Sequence, residues 1–368
     1  MSRVLDTFLD LVRISSPTGQ EAGVAEYVAR ALREAGCTVR IDDTRSVTGA
    51  DTGNVIAEVP GALDGGVIAL SAHMDCVQPC EGVEPVVVDG VVRSAGETVL
   101  GGDDKVGLAA IVEAVRRLTE EGGEHRPLKL LLTVSEEDGL LGAKALAPAD
   151  AAASLCLVLD ADGPVGGIVV GAPSHHTFTA TFTGKAAHAG VEPEKGVSAI
   201  AMAAEAVSHM RLGRIDEHTT ANIGTIRGGS ATNVVAPSCV LTGECRSLDT
   251  SYAEVIRTDM DVAMHDAAAA AGGTVSVDWV HAYPGFAASA DSAEVALIER
   301  ACAAIGVESR TYTTGGGSDA NIFAGYGIPT LVLGTGMTNV HSTDELLEVR
   351  QLERLADLLV AIARTPER

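Results

Sequence analysis

Short apolar runs bounded by turns, with helical periodicity between them, constrain this chain more than any other feature. The runs at residues 54–59, 67–70, 128–134, 155–159 and 330–333 are apolar nearly throughout, the signature of strands buried on both faces. Apolar residues at helical spacing fill 106–118 and 346–363. Strand and helix in alternation predict an α/β domain with a covered, largely parallel central sheet. Ahead of it, Val4, Leu5, Phe8, Leu9 and Val12 mark a first helix that stops at Ser15-Ser16-Pro17. Thr18-Gly19-Gln20-Glu21 then has the form of a capping box, opening a second helix through Val24, Tyr27, Val28, Ala31 and Leu32.

From about residue 177 to 283 the texture changes. Phe178-Thr179-Ala180-Thr181-Phe182 alternates strictly, as a half-exposed antiparallel strand does. Helical patterns at 198–210 and 253–271 and strand patterns near 221–226, 239–246 and 274–281 complete an α+β insert. The α/β texture then resumes. The expected organisation is one domain made of residues 1–175 and 285–368, interrupted by a smaller α+β domain at 176–284.

Formal charge is −24, from 26 Lys and Arg against 50 Asp and Glu. So acidic a surface repels phosphate backbones and anionic lipid, which argues against nucleic acid and membranes as partners. No apolar run approaches the ~20 residues that span a bilayer. Acids among the first ten residues predict that no leader is cleaved. Seven scattered cysteines, an odd number, read as reduced thiols in a cytoplasmic setting rather than a disulfide framework.

Three of the apolar runs end in potential metal ligands. The first leads into His73-Met74-Asp75, the second into Glu136-Glu137-Asp138, the third into Asp160-Ala161-Asp162. Ligands of open α/β sheets gather at the carboxyl ends of strands, so these bursts should converge on one crevice. Gly101-Gly102-Asp103-Asp104-Lys105 places an acidic pair just before a helix, and His341 follows the run at 330–333. Singly, each burst is what a solvated face or a turn also produces. Their ordered recurrence after buried strands carries the reading. Two histidines with several carboxylates suit Zn²⁺, with Mn²⁺ or Co²⁺ as rivals. A further Glu beside the ligand Glu supplies the general base that metal-assisted hydrolysis requires.

His73-Met74-Asp75, Gly102-Asp103-Asp104-Lys105-Val106-Gly107, Ser135-Glu136-Glu137, Asp160 and Val340-His341-Ser342 together resemble the ordered motifs of the dinuclear zinc exopeptidases. That group includes peptidase T (tripeptide aminopeptidase), glutamate carboxypeptidase and succinyl-diaminopimelate desuccinylase. The stretch Lys185-Ala186-Ala187-His188-Ala189-Gly190-Val191-Glu192-Pro193 and the turn Gly315-Gly316-Gly317-Ser318-Asp319-Ala320 most resemble the peptidase T-like branch. The likeness covers roughly residues 7–363.

The resemblance implies a zinc-exopeptidase-type catalytic domain interrupted by a lid that also makes a homodimer. It implies two divalent cations, one held by His73 and Asp160, the other by Glu137 and His341, with Asp103 bridging and the Asp103–Asp104 peptide cis. Asp162, two residues beyond Asp160, is a rival ligand. Asp75 would fix the His73 tautomer without touching metal, and Glu136 would be the general base. His188, on its own residues a surface histidine, would reach a partner subunit's site and steady the oxyanion. Asn233, Arg246, Gly317 and Ser318 fall at positions that contact substrate. Gly315 stands where tripeptidase-type members carry an arginine, so the likeness implies the reaction class more than strict tripeptide specificity.

The expected activity is hydrolysis of short peptides from one end by a dinuclear metallopeptidase. The alternative is an amidohydrolase or carboxypeptidase acting on N-acyl or C-terminal amino-acid amides. More remote is a metal-bound binding protein, which would have no use for a base at Glu136. His175-His176 should point to opposite faces of a strand and not chelate. Cys76 and Cys80 lack a second pair and are read as bystanders.

Overall fold

The computed structural model describes residues 2–366; Met1, Glu367 and Arg368, which the catalytic-domain expectation includes, lie outside the described residues. The chain divides into two compact units. The first comprises the chain up to Gly171, Ala288–Thr313 and the chain from Ser318 on; the second comprises Ala172–Ala287 and Thr314–Gly317. Thr314–Gly317 thus packs with the insert, where Gly317 lies against Tyr283: a Cβ there would come within 2.3 Å of the tyrosine ring.

In the first unit the sheet runs in the order Thr38–Ile41, Val55–Val59, Leu128–Thr133, Ile68–His73, Leu155–Ala161, Thr330–Gly334, Gly167–Ala172, with Arg310–Thr313 beside the last. The four strands from Leu128–Thr133 to Thr330–Gly334 are parallel. Antiparallel pairs flank them, so the sheet is mixed with a parallel centre. Ile68–His73 is buried along its whole length, which is why its sequence shows no alternation. Helix Gly102–Glu121 covers it, and helices Arg3–Arg13 and Val349–Arg364 pack on that helix. Arg3–Arg13 buries Val4, Leu5, Phe8, Leu9, Leu11 and Val12. A fully buried Phe8 there contributes about 1.5–3 kcal/mol over an exposed one.

Two local readings change. The helix expected at 346–363 begins at Val349, because Leu346–Glu348 pairs as a strand with Val91–Ser94. That strand belongs to a small sheet with Pro85–Val88 and Met337–Thr338, which flanks the His341 loop. The second helix begins at Ala22, and no side-chain cap closes it: Thr18 and Glu21 spend their polar atoms elsewhere.

The second unit is an antiparallel sheet in the order Gly213–Arg214, Thr219–Gly228, Ser238–Ser247, Ser174–Thr183, Thr274–Tyr283. Helices Ala199–His209 and Thr250–Ala270 cover one face. Phe178, Ala180 and Phe182 point into that core against Met202, Met260 and Met264, while Thr179 and Thr183 face out. Asp249 caps the longer helix by accepting from the amides of Ser251 and Tyr252. Among the described residues no helix is long and apolar enough to cross a membrane. All seven cysteines are free and buried.

Candidate metal centre

The parallel strands deliver the ligand candidates to one place. His73 ends Ile68–His73, Asp160 lies near the end of Leu155–Ala161, and Glu136 and Glu137 follow Leu128–Thr133. Three groups of potential ligand atoms each fall within 4.8 Å: His73 with Asp103 and Asp160; His73 with Glu136 and Glu137; Asp103 with Glu137 and His341. Asp162 is in none of these groups and is exposed.

Asp103 is central. Its Oδ1 lies 3.0 Å from His73 Nε2 and its Oδ2 3.1 Å from His341 Nε2. His341 Nε2 is also 3.0 Å from Glu137 Oε1, and His73 Nε2 is 3.9 Å from Asp160 Oδ1. The Asp103–Asp104 peptide is cis. Glu345, which sequence reasoning missed, holds the turn before it, its carboxylate accepting from the amides of Gly101 and Asp103 at 2.8 and 3.0 Å. His73 Nδ1 lies 3.1 Å from the Asp75 carbonyl oxygen, and donating there leaves Nε2 free to ligate. Asp75 in turn accepts from the amides of Glu136 and Glu137 at 3.0 and 3.1 Å.

The electrostatics are those of a buried set rich in carboxyls. Burial alone would pull the His73 imidazole down, but Asp103 and Asp75 outweigh it and hold its pKa well above the usual value. The facing carboxylates of Asp103 and Glu137 push His341 up to about 10. Burial drives the Glu136 carboxyl well up, and the charges of Asp319, Glu137 and Asp75 add to this against His73. Asp160 rises for the same reason, with Asp103 and Glu136 as the repelling neighbours. Glu137 Oε1 is buried and accepts no hydrogen bond although His341 Nε2 faces it. A buried carboxylate oxygen left without a hydrogen bond beside an imidazole, in a site rich in carboxylates, fits a divalent cation between them. Asp319, also missed, is buried nearby with Thr133 Oγ1 donating to it at 2.5 Å; burial pushes it up to about 6.

The remaining candidates belong to the second unit, except Ser318. In the second unit His188 and Asn233 are exposed neighbours: the Ala189 amide donates to the Asn233 carbonyl at 2.9 Å. Arg246 Nη2 donates to Glu244 at 3.0 Å, and Nη1 makes long contacts of 3.4 Å with the Tyr283 hydroxyl and the Gly315 carbonyl. Gly317 packs on Tyr283. Ser318, in the first unit, caps helix Asp319–Gly325 in a full capping box. His175 pairs with Glu244 and His176 stacks on His281, so the two adjacent histidines do not chelate together.

The description "Peptidase family M20/M25/M40" matches residues 69–365 of the chain. Uncharacterized protein YqjE of Bacillus subtilis (strain 168) is 44% identical over 360 residues, covering 98% of this chain and 97% of its own. The crystal structure of aminopeptidase PepT from Bacillus cereus ATCC 10987 superposes with a TM-score of 0.93 at 42% identity, covering 98% of this chain and 97% of that one. A tripeptidase from Staphylococcus aureus subsp. aureus Mu50 gives a TM-score of 0.95 at 37% identity with the same coverage, 98% and 97%. This chain belongs to peptidase family M20/M25/M40 and is a metallopeptidase.

Proposed function

We propose that the chain is an exopeptidase of the peptidase T type, releasing the N-terminal residue of short peptides with two divalent cations, zinc foremost. The observation that carries the dinuclear reading is Asp103, whose two carboxylate oxygens face two different histidines at 3.0 and 3.1 Å. His73 and Asp160 hold one cation, Glu137 and His341 the other, and Asp103 is common to both. Bound there, divalent cations supply Lewis acidity, lowering the pKa of water and polarising a carbonyl. Glu136 lies beside the ligand set and accepts the proton from the attacking water. Its buried setting holds that proton until the leaving amine nitrogen takes it. Asp75 keeps His73 in the ligating tautomer and holds the backbone of Glu136 and Glu137.

The second unit serves as lid and homodimer contact in this reading. His188 steadies the oxyanion and Asn233, Arg246, Gly317 and Ser318 contact the peptide. The likeness to PepT and to the tripeptidase supports the substrate class. Zinc-loaded protein is assayed against di- and tripeptides, N-acyl amino acids and C-terminal amides. Tripeptide turnover is expected to lead, and a preference for N-acyl amino acids overturns the exopeptidase reading. Glu136→Gln should keep both cations and lower kcat by about 10²–10⁴-fold. Near-normal kcat with full metal content rejects Glu136 as the base.

A further inference from the structure

Thr18-Gly19-Gln20-Glu21 has the spacing of a capping box, yet neither side chain caps the helix that follows. Thr18 Oγ1 donates to Asp75 Oδ2 at 2.8 Å. Glu21 Oε1 gathers three donors: the Gly19 amide at 2.8 Å, the Ser135 amide at 3.0 Å and the Ser135 hydroxyl at 3.2 Å. Glu21 is 0% exposed, and its Oε2 is buried without a hydrogen-bond partner. A cap at a helix start sits near water at little cost. A carboxyl wholly buried with one oxygen unsatisfied is expensive, and what it secures here is Ser135.

Ser135 takes a left-handed φ of 51°, unusual for a residue with a Cβ, and it immediately precedes Glu136. The next two amides, of Glu136 and Glu137, are held by Asp75 at 3.0 and 3.1 Å. Three successive amides are therefore fixed by two buried carboxyls, one of which Thr18 also grips. The chain before the helix is itself tied down: Pro17 bridges Cys76, and the Asp51 amide donates to the Gly19 carbonyl at 3.0 Å.

We propose that Glu21, with Thr18 acting through Asp75, is a positioning residue that holds the turn at Ser135 so that the Glu136 carboxylate stays at its working point. This rests on the reading of Glu136 as the general base. Without Glu21, Ser135 can leave the left-handed region, and the residue after it turns with it. Glu21 accepts from Gly19 and Ser135 and from none of the proposed cation ligands, so its loss should move kcat while sparing cation content.

Glu21→Ala, Glu21→Gln and Glu136→Gln are compared in the zinc-loaded enzyme by tripeptide kinetics, metal analysis and hydrogen–deuterium exchange. Glu21→Ala should lower kcat about 10–100-fold with KM within about threefold and both cations retained. Exchange should speed up in residues 134–140 and stay unchanged in helix Gly102–Glu121. Glu21→Gln keeps an oxygen to accept the same bonds and should restore most of kcat and the protection. Wild-type kcat or wild-type exchange at 134–140 in Glu21→Ala overturns the proposal, as does Glu21→Gln being as impaired as Glu21→Ala. If Glu21→Ala does not fold, Thr18→Val carries the test: faster exchange of the Glu136 and Glu137 amides supports it, and unchanged exchange overturns it. An inactive Glu136→Gln beside an unaffected Glu21→Ala sinks this inference alone. An active Glu136→Gln sinks the reading beneath it.

Discussion

In the first unit His73 meets Asp103 and Asp75; in the second, His175 Nε2 meets Glu244 Oε2 at 2.7 Å, and Arg246 Nη2 reaches the same oxygen at 3.0 Å. The two clusters use the same pair of residue types and balance charge in opposite ways. Around His73 the carboxyls outnumber the cationic groups, and burial drives Glu136 and Asp160 up. The buried Lys105 nearby donates to the Ile14 carbonyl. Around His175 a built-in guanidinium completes the set: the His175 hydrogen bond, helped by Arg246 and opposed by burial, pulls Glu244 down to about 2. One cluster is finished by the chain itself, whereas the other, on the proposed reading, is finished by a cation.

Removing metal is the largest test of that contrast. Stripping the cations with a chelator should destabilise the first unit by about 2.7 kcal/mol for each cation present at a hundredfold excess over its Kd. Amide exchange should rise around residues 73, 103, 137, 160 and 341 while the second unit keeps its protection. The chain's single tryptophan, Trp279, lies in the second unit and donates to Asp261 at 2.9 Å, so its fluorescence should not change. Equal loss of protection in both units would break the comparison.

Single ligands sharpen it. Asp103→Ala should weaken both cations by at least about 100-fold, whereas His341→Ala should do so for one. Metal analysis after dialysis separates these outcomes, and retention of one cation at wild-type affinity in Asp103→Ala rules out the shared carboxylate. The smallest effect belongs to the self-balanced cluster. The folded pKa of Glu244 lies below its ordinary 4.5, so its contribution is complete above that pH and is lost as pH falls toward about 2. Glu244→Gln should flatten this acid limb by under about 1 kcal/mol, because the pair is part exposed. Urea melts followed through Trp279 at pH 6 and pH 3 measure it. A loss that grows as pH rises would contradict the sign.

The convergence of the candidate bursts was legible because each depends on local pattern: a strand buried on both faces announces itself by unbroken apolar residues, and the polar residues after it stand out. Partnerships across the fold were not. Nothing near Glu345 in sequence points to the turn at Gly101–Asp103, and Thr18 and Glu21 carry a pattern whose local meaning, a helix cap, the tertiary structure overrides. Leu346 and Leu347 continue a helical period, but pairing with Val91–Ser94 makes them strand. The hairpin they join did leave a signal: Asp89-Gly90 with φ of 51° and 79° is the dipeptide that tight hairpins favour. Asp160 and Asp162 look alike in sequence, and only the strand's reach decides which sits near His73.

The order of the proposed ligands along the chain has a consequence for biosynthesis. Residues 73, 103, 137 and 160 leave the ribosome before the second unit is made, and His341 and Glu345 are made long after it. The second unit is nearly continuous in sequence and has its own apolar core, so it can close while the first still lacks strand Thr330–Gly334. A nascent chain therefore carries an unfinished acidic pocket through most of its translation. Until residues 341–345 appear, that pocket lacks both the second imidazole and the carboxylate that braces the turn at Asp103. If His341 and Glu345 act as proposed, stable capture of a second cation would follow their synthesis, and products that stop short of them would lack the finished site.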